Sequence, residues 1–256
     1  MFFYNGTILT MAENSAESLR LIGNKIGPVE DEKPAGMEGI NLKGKTLLPG
    51  LCDTHLHLLN YGLALKAVNL RGCNSIEELQ DRLAERVKTE EKGNWISGRG
   101  WDENRYDGQL PSRDDLDKVA PDHPVILSRV CGHLQVINSR AMEELGINDD
   151  IPIPEGGAAD KDDSGRLTGI FREKAMDLIF DNMPKRSLDQ VEEALIAAGK
   201  DLLSKGITAV HSDDLAEFDQ IEPVLNLYQR LYSEGKLPRV HLHIHHKHLA
   251  EARKLD

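Results

Sequence analysis

The stretch "TLLPGLCDTHLHL", residues 46–58, combines an apolar run, a Pro-Gly pair and two closely spaced histidines. Residues separated by one position project to the same face of a strand, about 7 Å apart, so His55 and His57 can approach one divalent ion. The apolar run predicts a buried strand, in which imidazoles without polar partners are unfavourable. Asp53 precedes them on the same face, as a further ligand or an acceptor that orients an imidazole. Ordinary surface or core histidines are the alternative interpretation.

Helical patterns alternate with strands in much of the remaining sequence. Apolar stripes predict helices over 76–91, from Ser187 to Gly206, and over 221–232, and the last two lead directly into the strands "ITAVH" and "RVHLHIH". "HPVILSRV" is typical of a buried strand. Such alternation predicts a parallel sheet, because each crossover helix returns the chain to the same end.

The predicted domain organisation has two parts. Short strands and turns indicate a small β unit over residues 1–48, with a strand, turn and strand at Gly23-Asn24. Residues 49–256 are predicted to form an α/β domain, and the stretch of about 93–168 reads as an irregular, Gly- and Asp-rich insertion.

The composition of the chain disfavours two classes of binding partner. The net charge of −12, from 31 basic and 43 acidic residues, disfavours nucleic-acid and membrane-surface binding, because both surfaces repel an acidic protein. We therefore expect a small-molecule substrate. Three widely separated cysteines, no secretory leader and no apolar run of about 18 residues favour the cytoplasm.

Several motifs resemble one family. "LLPGLCDTHLHL" is similar to the first barrel strand of the amidohydrolase superfamily, specifically the branch that includes N-substituted formamide deformylase. The further motifs that carry this resemblance are "GWDEN" at 100–104, "PSRDDLD" at 111–117, "CGHLQVINSRAME" at 131–143, "TGIFREKA" at 168–175 and "GITAVHSDD" at 206–214. They cover essentially the whole chain in order.

The resemblance implies a fold and a chemistry. Family members are metal-dependent hydrolases with a (β/α)8 barrel of the TIM type and a small β-sandwich formed from both ends of the chain. By that comparison this chain corresponds to the N-terminal half, with about the first five barrel strands. The implied activity is hydrolysis of amide- or formamide-like C–N bonds with a divalent metal, zinc above all, held by His55 and His57.

The sequence also departs from the family pattern. The later strands of the family supply a lysine, two more histidines and an aspartate that acts as general base, and these motifs are absent here. We therefore expect either a truncated hydrolase completed by a missing C-terminal half, or a non-catalytic fragment that binds metal weakly and self-associates as a homo-oligomer.

Other residues are candidates for substrate binding or catalysis, each with a structural alternative. By resemblance the loop of Trp101 and Asp102 lies near the substrate, although an Asp-capped turn explains it equally well. His133 is a substrate-binding candidate or a core histidine. Glu173 is a catalytic candidate or the cap of a helix. His211 ends a predicted strand, where barrels place catalytic groups.

A histidine-rich segment follows the last predicted strand. Within "VHLHIHHKH", His241, His243 and His245 alternate onto one face. Metal binding there and simple surface exposure are both open, since the family does not place its ligands on this strand.

Overall fold

The computed structural model describes residues 1–11, 15–30 and 39–255. These divide into two compact units, Met1–Leu56 with Lys200–Asp256, and His57–Gly199. We call the first the split unit and the second the continuous unit. The predicted boundary between residues 48 and 49 lies inside the split unit and stays a prediction. No helix in the described ranges is long and apolar enough to cross a membrane.

The split unit begins with short strands arranged in two small sheets. The strands are β1 (Phe2–Tyr4), β2 (Thr7–Leu9), β3 (Ser15–Ala16), β4 (Ser18–Ile22), β5 (Lys25–Glu30), β6 (Ile40–Asn41) and β7 (Thr46–Leu47). Their orders are β5-β4-β1-β6 and β3-β2-β7. The predicted turn at Gly23-Asn24 is confirmed, because β4 pairs antiparallel with β5 and Ile22 lies opposite Lys25.

Strand β8 (Leu51–Leu56) carries the first histidine and leads into helix α1 (Leu58–Lys66). The prediction that this strand is buried is wrong, because none of its residues is buried and Leu51 is 54% exposed. Leu48, just before it, is also exposed. An apolar run shows that a segment has apolar side chains. It does not show that another part of the protein covers them.

The continuous unit contains a mixed sheet of six strands. They are β9 (Val68–Asn69), β10 (Ile96–Trp101), β11 (Val125–Arg129), β12 (Leu134–Ile137), β13 (Gly157–Lys161) and β14 (Leu167–Glu173). Their order is β13-β14-β12-β11-β10-β9, with parallel pairs between β9, β10 and β11 and antiparallel pairs elsewhere. The stretch predicted as irregular, 93–168, therefore supplies much of a regular sheet.

Short helices accompany this sheet, and both of its faces are covered. The helices are α2 (Ile76–Val87), α3 (Arg113–Asp117), α4 (Ser139–Glu144) and α5 (Asp177–Phe180). Neighbouring residues of β11 pack into different hydrophobic clusters, Leu127 with Trp101 and Ile126 with Phe171. Burial on both faces explains why this strand reads as a continuous apolar run instead of an alternating pattern.

The chain closes with two helices that alternate with strands and a short terminal helix. These elements are α6 (Leu188–Ser204), β15 (Ile207–Ser212), α7 (Glu222–Ser233), β16 (Arg239–Leu242) and α8 (Leu249–Ala252). Strand β15 pairs in parallel with both β16 and β8. Helix α7 stops as predicted at Gly235, whose φ of 71° allows the Lys236 N–H to reach the Leu231 carbonyl at 2.9 Å.

The parallel strands do not form a single sheet, which corrects the expected run of about five barrel strands. In the part of the chain that the structure describes, three strands, β8, β15 and β16, share a parallel sheet. Strand β11, predicted as a buried strand within the stretch 93–168, pairs with β10 and β12. Local apolar pattern identifies a buried strand, but its partners depend on distant residues.

Candidate functional site

The predicted metal ligands lie where β8 ends. His55 belongs to β8, whereas His57 is the N-cap residue of α1, and both side chains are exposed. Asp53 Oδ1 accepts a hydrogen bond from the His55 backbone N–H at 3.1 Å. This carboxylate therefore holds the backbone that carries His55. Because the strand ends at Leu56, a strand end and a helix cap place the two imidazoles, and regular strand alternation does not.

Two imidazoles supply only part of a metal-binding shell. Zinc sites use three protein ligands when catalytic and four when structural. Among residues 1–11, 15–30 and 39–255, no three His, Cys, Asp or Glu side chains are arranged to hold a metal ion. The neutral imidazoles of His55 and His57 suit zinc or a similar divalent ion, and such a site requires further ligands.

His211, the second candidate of the split unit, lies next to the last residue of β15. It stands directly opposite His241 in the parallel pairing of β15 with β16. The centroids of these two rings are 4.9 Å apart, and that of His243 lies 6.1 Å from His211 and 5.8 Å from His241. The structure thus groups two of the predicted alternating histidines with His211, whereas the third, His245, packs on His246.

A buried carboxylate beyond β15 was missed by the sequence reasoning. Asp214 is 5% exposed, and its Oδ2 accepts hydrogen bonds from the Ser212 hydroxyl at 2.5 Å and the Tyr228 hydroxyl at 2.7 Å. Burial, and then the charge of Asp214, raise the pKa of Tyr228 well above its usual value. The available signal was the run of polar residues that directly follows the strand "ITAVH".

Trp101 and Asp102 both make structural contacts in their loop, and a role of either residue in substrate binding stays a prediction. Trp101 is fully buried, and its indole N–H points to the Leu127 carbonyl at 3.4 Å. Asp102 is the N-cap of a short 3-10 helix over Glu103–Arg105, where its Oδ1 accepts a hydrogen bond from the Asn104 backbone N–H. Both residues therefore shape the loop that follows β10.

A buried ion pair joins that loop to β11. Arg129 binds the Glu103 carboxylate through Nε and Nη2, each at 2.8 Å, and the hydrogen bonds from Arg129 lower the pKa of Glu103. Both side chains are less than one-fifth exposed. Bidentate pairs of this kind fix geometry as well as charge, so the end of β11 is held rigidly.

The structure brings together two of the predicted site residues of the continuous unit, His133 and Glu173. His133 Nδ1 lies 3.2 Å from Glu173 Oε2, and both side chains are largely exposed. Cys131 Sγ accepts the His133 backbone N–H at 3.4 Å. This hydrogen bond, and then the Arg129 guanidinium, lower the pKa of the Cys131 thiol. A thiol, an imidazole and a carboxylate thus follow the ends of β11 and β14.

Glu173 has a strained backbone. Its φ of 50° and ψ of −128° fall in a region that glycine adopts readily and other residues adopt at about 1–3 kcal/mol. It precedes the short 3-10 helix Lys174–Met176, but its side chain makes no capping hydrogen bond. The cap interpretation is therefore not supported, and strain of this kind is typical of functional positions.

We expect Glu173→Gly to stabilise the continuous unit by about 1 kcal/mol relative to Glu173→Ala. Both changes remove the same carboxylate, but only glycine relieves the strained φ. Urea unfolding followed by tryptophan fluorescence measures the difference, because both tryptophans, Trp95 and Trp101, lie in the continuous unit. Equal stability of the two variants would contradict the assigned strain.

Comparison with known proteins agrees with the resemblance seen in the sequence. The sequence profile of the amidohydrolase family matches residues 38–255. The Bacillus subtilis protein YtcJ is 37% identical over 212 residues, which make up 82% of this chain and 40% of YtcJ. N-substituted formamide deformylase from Arthrobacter pascens is 28% identical over 256 aligned residues, 93% of this chain and 46% of the deformylase. The chain spans less than half the length of these relatives.

Solved structures show the same relationship in three dimensions. An uncharacterised metal-dependent hydrolase from Pyrococcus horikoshii superposes with a TM-score of 0.75 at 29% sequence identity. The aligned region covers 99% of this chain and 50% of the archaeal one. The mixed α/β architecture described above is therefore shared with metal-dependent hydrolases.

Proposed function

Because the chain belongs to the amidohydrolase family, we propose that it is part of a metal-dependent hydrolase that cleaves C–N bonds of amide- or formamide-like small molecules. The observation that carries this proposal is the pair His55 and His57 at the end of β8, inside the matched residues 38–255. The similarity to a protein named N-substituted formamide deformylase supports the substrate class.

His55 and His57 would hold the metal, for which we propose zinc. A bound divalent ion supplies Lewis-acid chemistry, since it polarises a carbonyl and makes bound water more acidic. The chain's own contribution is to present two imidazoles at a strand end that the Asp53 carboxylate restrains. Neutral imidazole is the ligating form, so acidification below the histidine pKa opposes binding.

Cleavage of a C–N bond also requires a proton for the leaving amine. Two groups are candidates for this role. His211 presents its imidazole at the end of β15, and Glu173 presents its carboxylate at the end of β14, 3.2 Å from His133. His133 would then orient the Glu173 carboxylate, or bind substrate beside it.

We propose that β8, β15 and β16 are the first part of a (β/α)8 barrel, and that the two small sheets of β1–β7 are part of a β-sandwich. The remaining metal ligands and the general base would come from protein outside these 256 residues, or from a second copy of the chain. Leu48 and Leu51, which precede His55 and His57 in the sequence, are exposed. They support this proposal, because exposed apolar surface favours a covering partner.

The competing proposal is a non-catalytic fragment that binds metal weakly and self-associates. It is favoured by the partial ligand set, since the described residues contain no three side chains arranged around a metal. The two proposals differ in whether the chain turns over substrate once a covering partner or a second copy supplies the remaining ligands.

A test of catalysis combines metal analysis with an assay of amine release from a panel of formamides and amides. For the hydrolase we expect turnover and one zinc equivalent bound by His55 and His57, and His55→Gln/His57→Gln should lose that equivalent and reduce turnover to the background of the reaction without enzyme. His246→Gln, an exposed histidine outside the proposed ligand pair, serves as the control and should retain both. Turnover that persists in the double variant would contradict the proposed ligands, and zinc binding without turnover would favour the fragment.

A further inference from the structure

Three histidines of the split unit form a cluster, and one of them, His211, is also a candidate proton donor in the proposed hydrolase. His211 and His241 are paired across β15 and β16, and His243 lies two residues beyond His241. Paired residues of neighbouring strands, and residues two apart along an extended chain, project to the same face. We call His211, His241 and His243 the histidine triad.

The spacing within the triad is close to that of imidazoles around one ion. A metal bound by ring nitrogens at about 2.0 Å with tetrahedral angles separates two ring centroids by about 5 Å. The observed separations are 4.9, 5.8 and 6.1 Å. The ring planes are inclined at 38°, 81° and 76°, so convergence on an ion requires rotation about side-chain torsions.

The surroundings permit such rotation. His241 and His243 are exposed and His211 is half-buried. In the described part of the chain, the ring contacts of the triad are those among its own three imidazoles. The His243 backbone is fixed, because its N–H donates to the Ser212 carbonyl at 2.8 Å. The framework is therefore rigid while the imidazoles can reorient.

We propose that the histidine triad binds one late first-row divalent ion, such as Zn²⁺, Ni²⁺ or Cu²⁺, through imidazoles other than those of His55 and His57. Nitrogen-only donor sets favour these ions over Mg²⁺ and Ca²⁺, which prefer oxygen ligands. The proposal does not rest on the proposed hydrolase activity.

Equilibrium dialysis of the purified 256-residue chain against Zn²⁺ tests the site. Relative to the wild type, we expect His241→Gln/His243→Gln to lose one zinc equivalent, or to bind it at least about tenfold more weakly, a loss of about 1.4 kcal/mol. His245→Gln/His246→Gln is the matched control, because it removes two histidines of the same segment whose rings are also in contact. His55→Gln/His57→Gln should also retain the triad's equivalent.

Chemical modification of individual histidines provides a second measurement of zinc binding. Zn²⁺ should protect His211, His241 and His243 from acylation by diethyl pyrocarbonate, as measured by peptide mass spectrometry, and should leave His246 reactive. Unchanged zinc binding in the triad variant would overturn the proposal, as would equal losses in the triad and control variants. Loss of turnover without loss of the triad's zinc would instead concern only the hydrolase proposal.

Discussion

Asn138→Ala is expected to lower the free energy of unfolding of the continuous unit by about 4 kcal/mol, because it leaves several buried backbone groups without partners. Asn138 is fully buried. Its Oδ1 accepts hydrogen bonds from the Val125 and Ala141 backbone N–H groups at 2.9 and 3.0 Å. Its Nδ2 donates to the Ala120 and His123 carbonyls at 3.1 and 2.9 Å.

Urea unfolding, followed by the fluorescence of Trp95 and Trp101, measures this loss in the unit that contains all five residues. The control is Asn148→Ala, which removes an exposed amide whose Oδ1 accepts only a local hydrogen bond from the Asp150 N–H at 3.0 Å. We expect the control to change stability by less than about 1 kcal/mol. A similar shift in both variants would show that the four buried hydrogen bonds contribute little.

The role of Asn138 shows which contacts a sequence reveals. An asparagine before the helical residues 139–144 is a recognisable N-cap, and its bond to the Ala141 N–H confirms that local pattern. The other three partners lie 13 to 18 residues away. Nothing near Asn138 in the sequence identifies them, because they depend on how β11 and the loop before it pack.

Local signals elsewhere were similarly informative. Ser187 and Gln190 have the spacing of a capping box, and the box is complete, with reciprocal bonds of 3.0 and 3.2 Å. Ser75 and Glu78 have the same spacing, and Ser75 accepts the Glu78 N–H, but the Glu78 carboxylate accepts the N–H of Asn74. Capping depends on residues within one turn, so such errors stay small.

Strand partnership was the least predictable part of the fold. The apolar run at Val125–Arg129 was correctly interpreted as a buried strand, but the run did not identify the strands that pair with it. Apolar pattern reports burial, whereas pairing is decided by contacts between residues far apart in sequence. The same limit applied to β8, whose apolar residues predicted a burial that the described chain does not provide.

Prediction of the candidate site shows the same difference between local sequence patterns and contacts of distant residues. The His-x-His motif and the resemblance identified His55 and His57 directly. Alternation then grouped His241 and His243 with His245, but β16 ends at Leu242, so regular strand geometry does not extend to His245. Their actual neighbour, His211, is set by the register of β15 against β16, which sequence periodicity does not contain.

Gly62→Ala is expected to destabilise the continuous unit by about 3 kcal/mol, although alanine favours helix by about 1 kcal/mol over glycine. Gly62 lies within α1, the helix whose N-cap is His57. A Cβ atom there would stand 2.0 Å from the Ala194 carbonyl oxygen and 2.5 Å from its carbonyl carbon. Both are backbone atoms of α6, so relief requires the two helices to move apart.

The matched control lies in the same helix, where propensity acts without this contact. Asn60 is exposed, and Asn60→Ala should stabilise the unit by a few tenths of a kcal/mol, since alanine is the better helix former. Opposite signs for the two substitutions, measured by urea unfolding with tryptophan fluorescence, would show that close helix packing decides the residue at position 62. If Gly62→Ala also stabilised the unit, α1 would not pack against α6 at the described distance. The position of α1, whose N-cap is His57, would then be wrong.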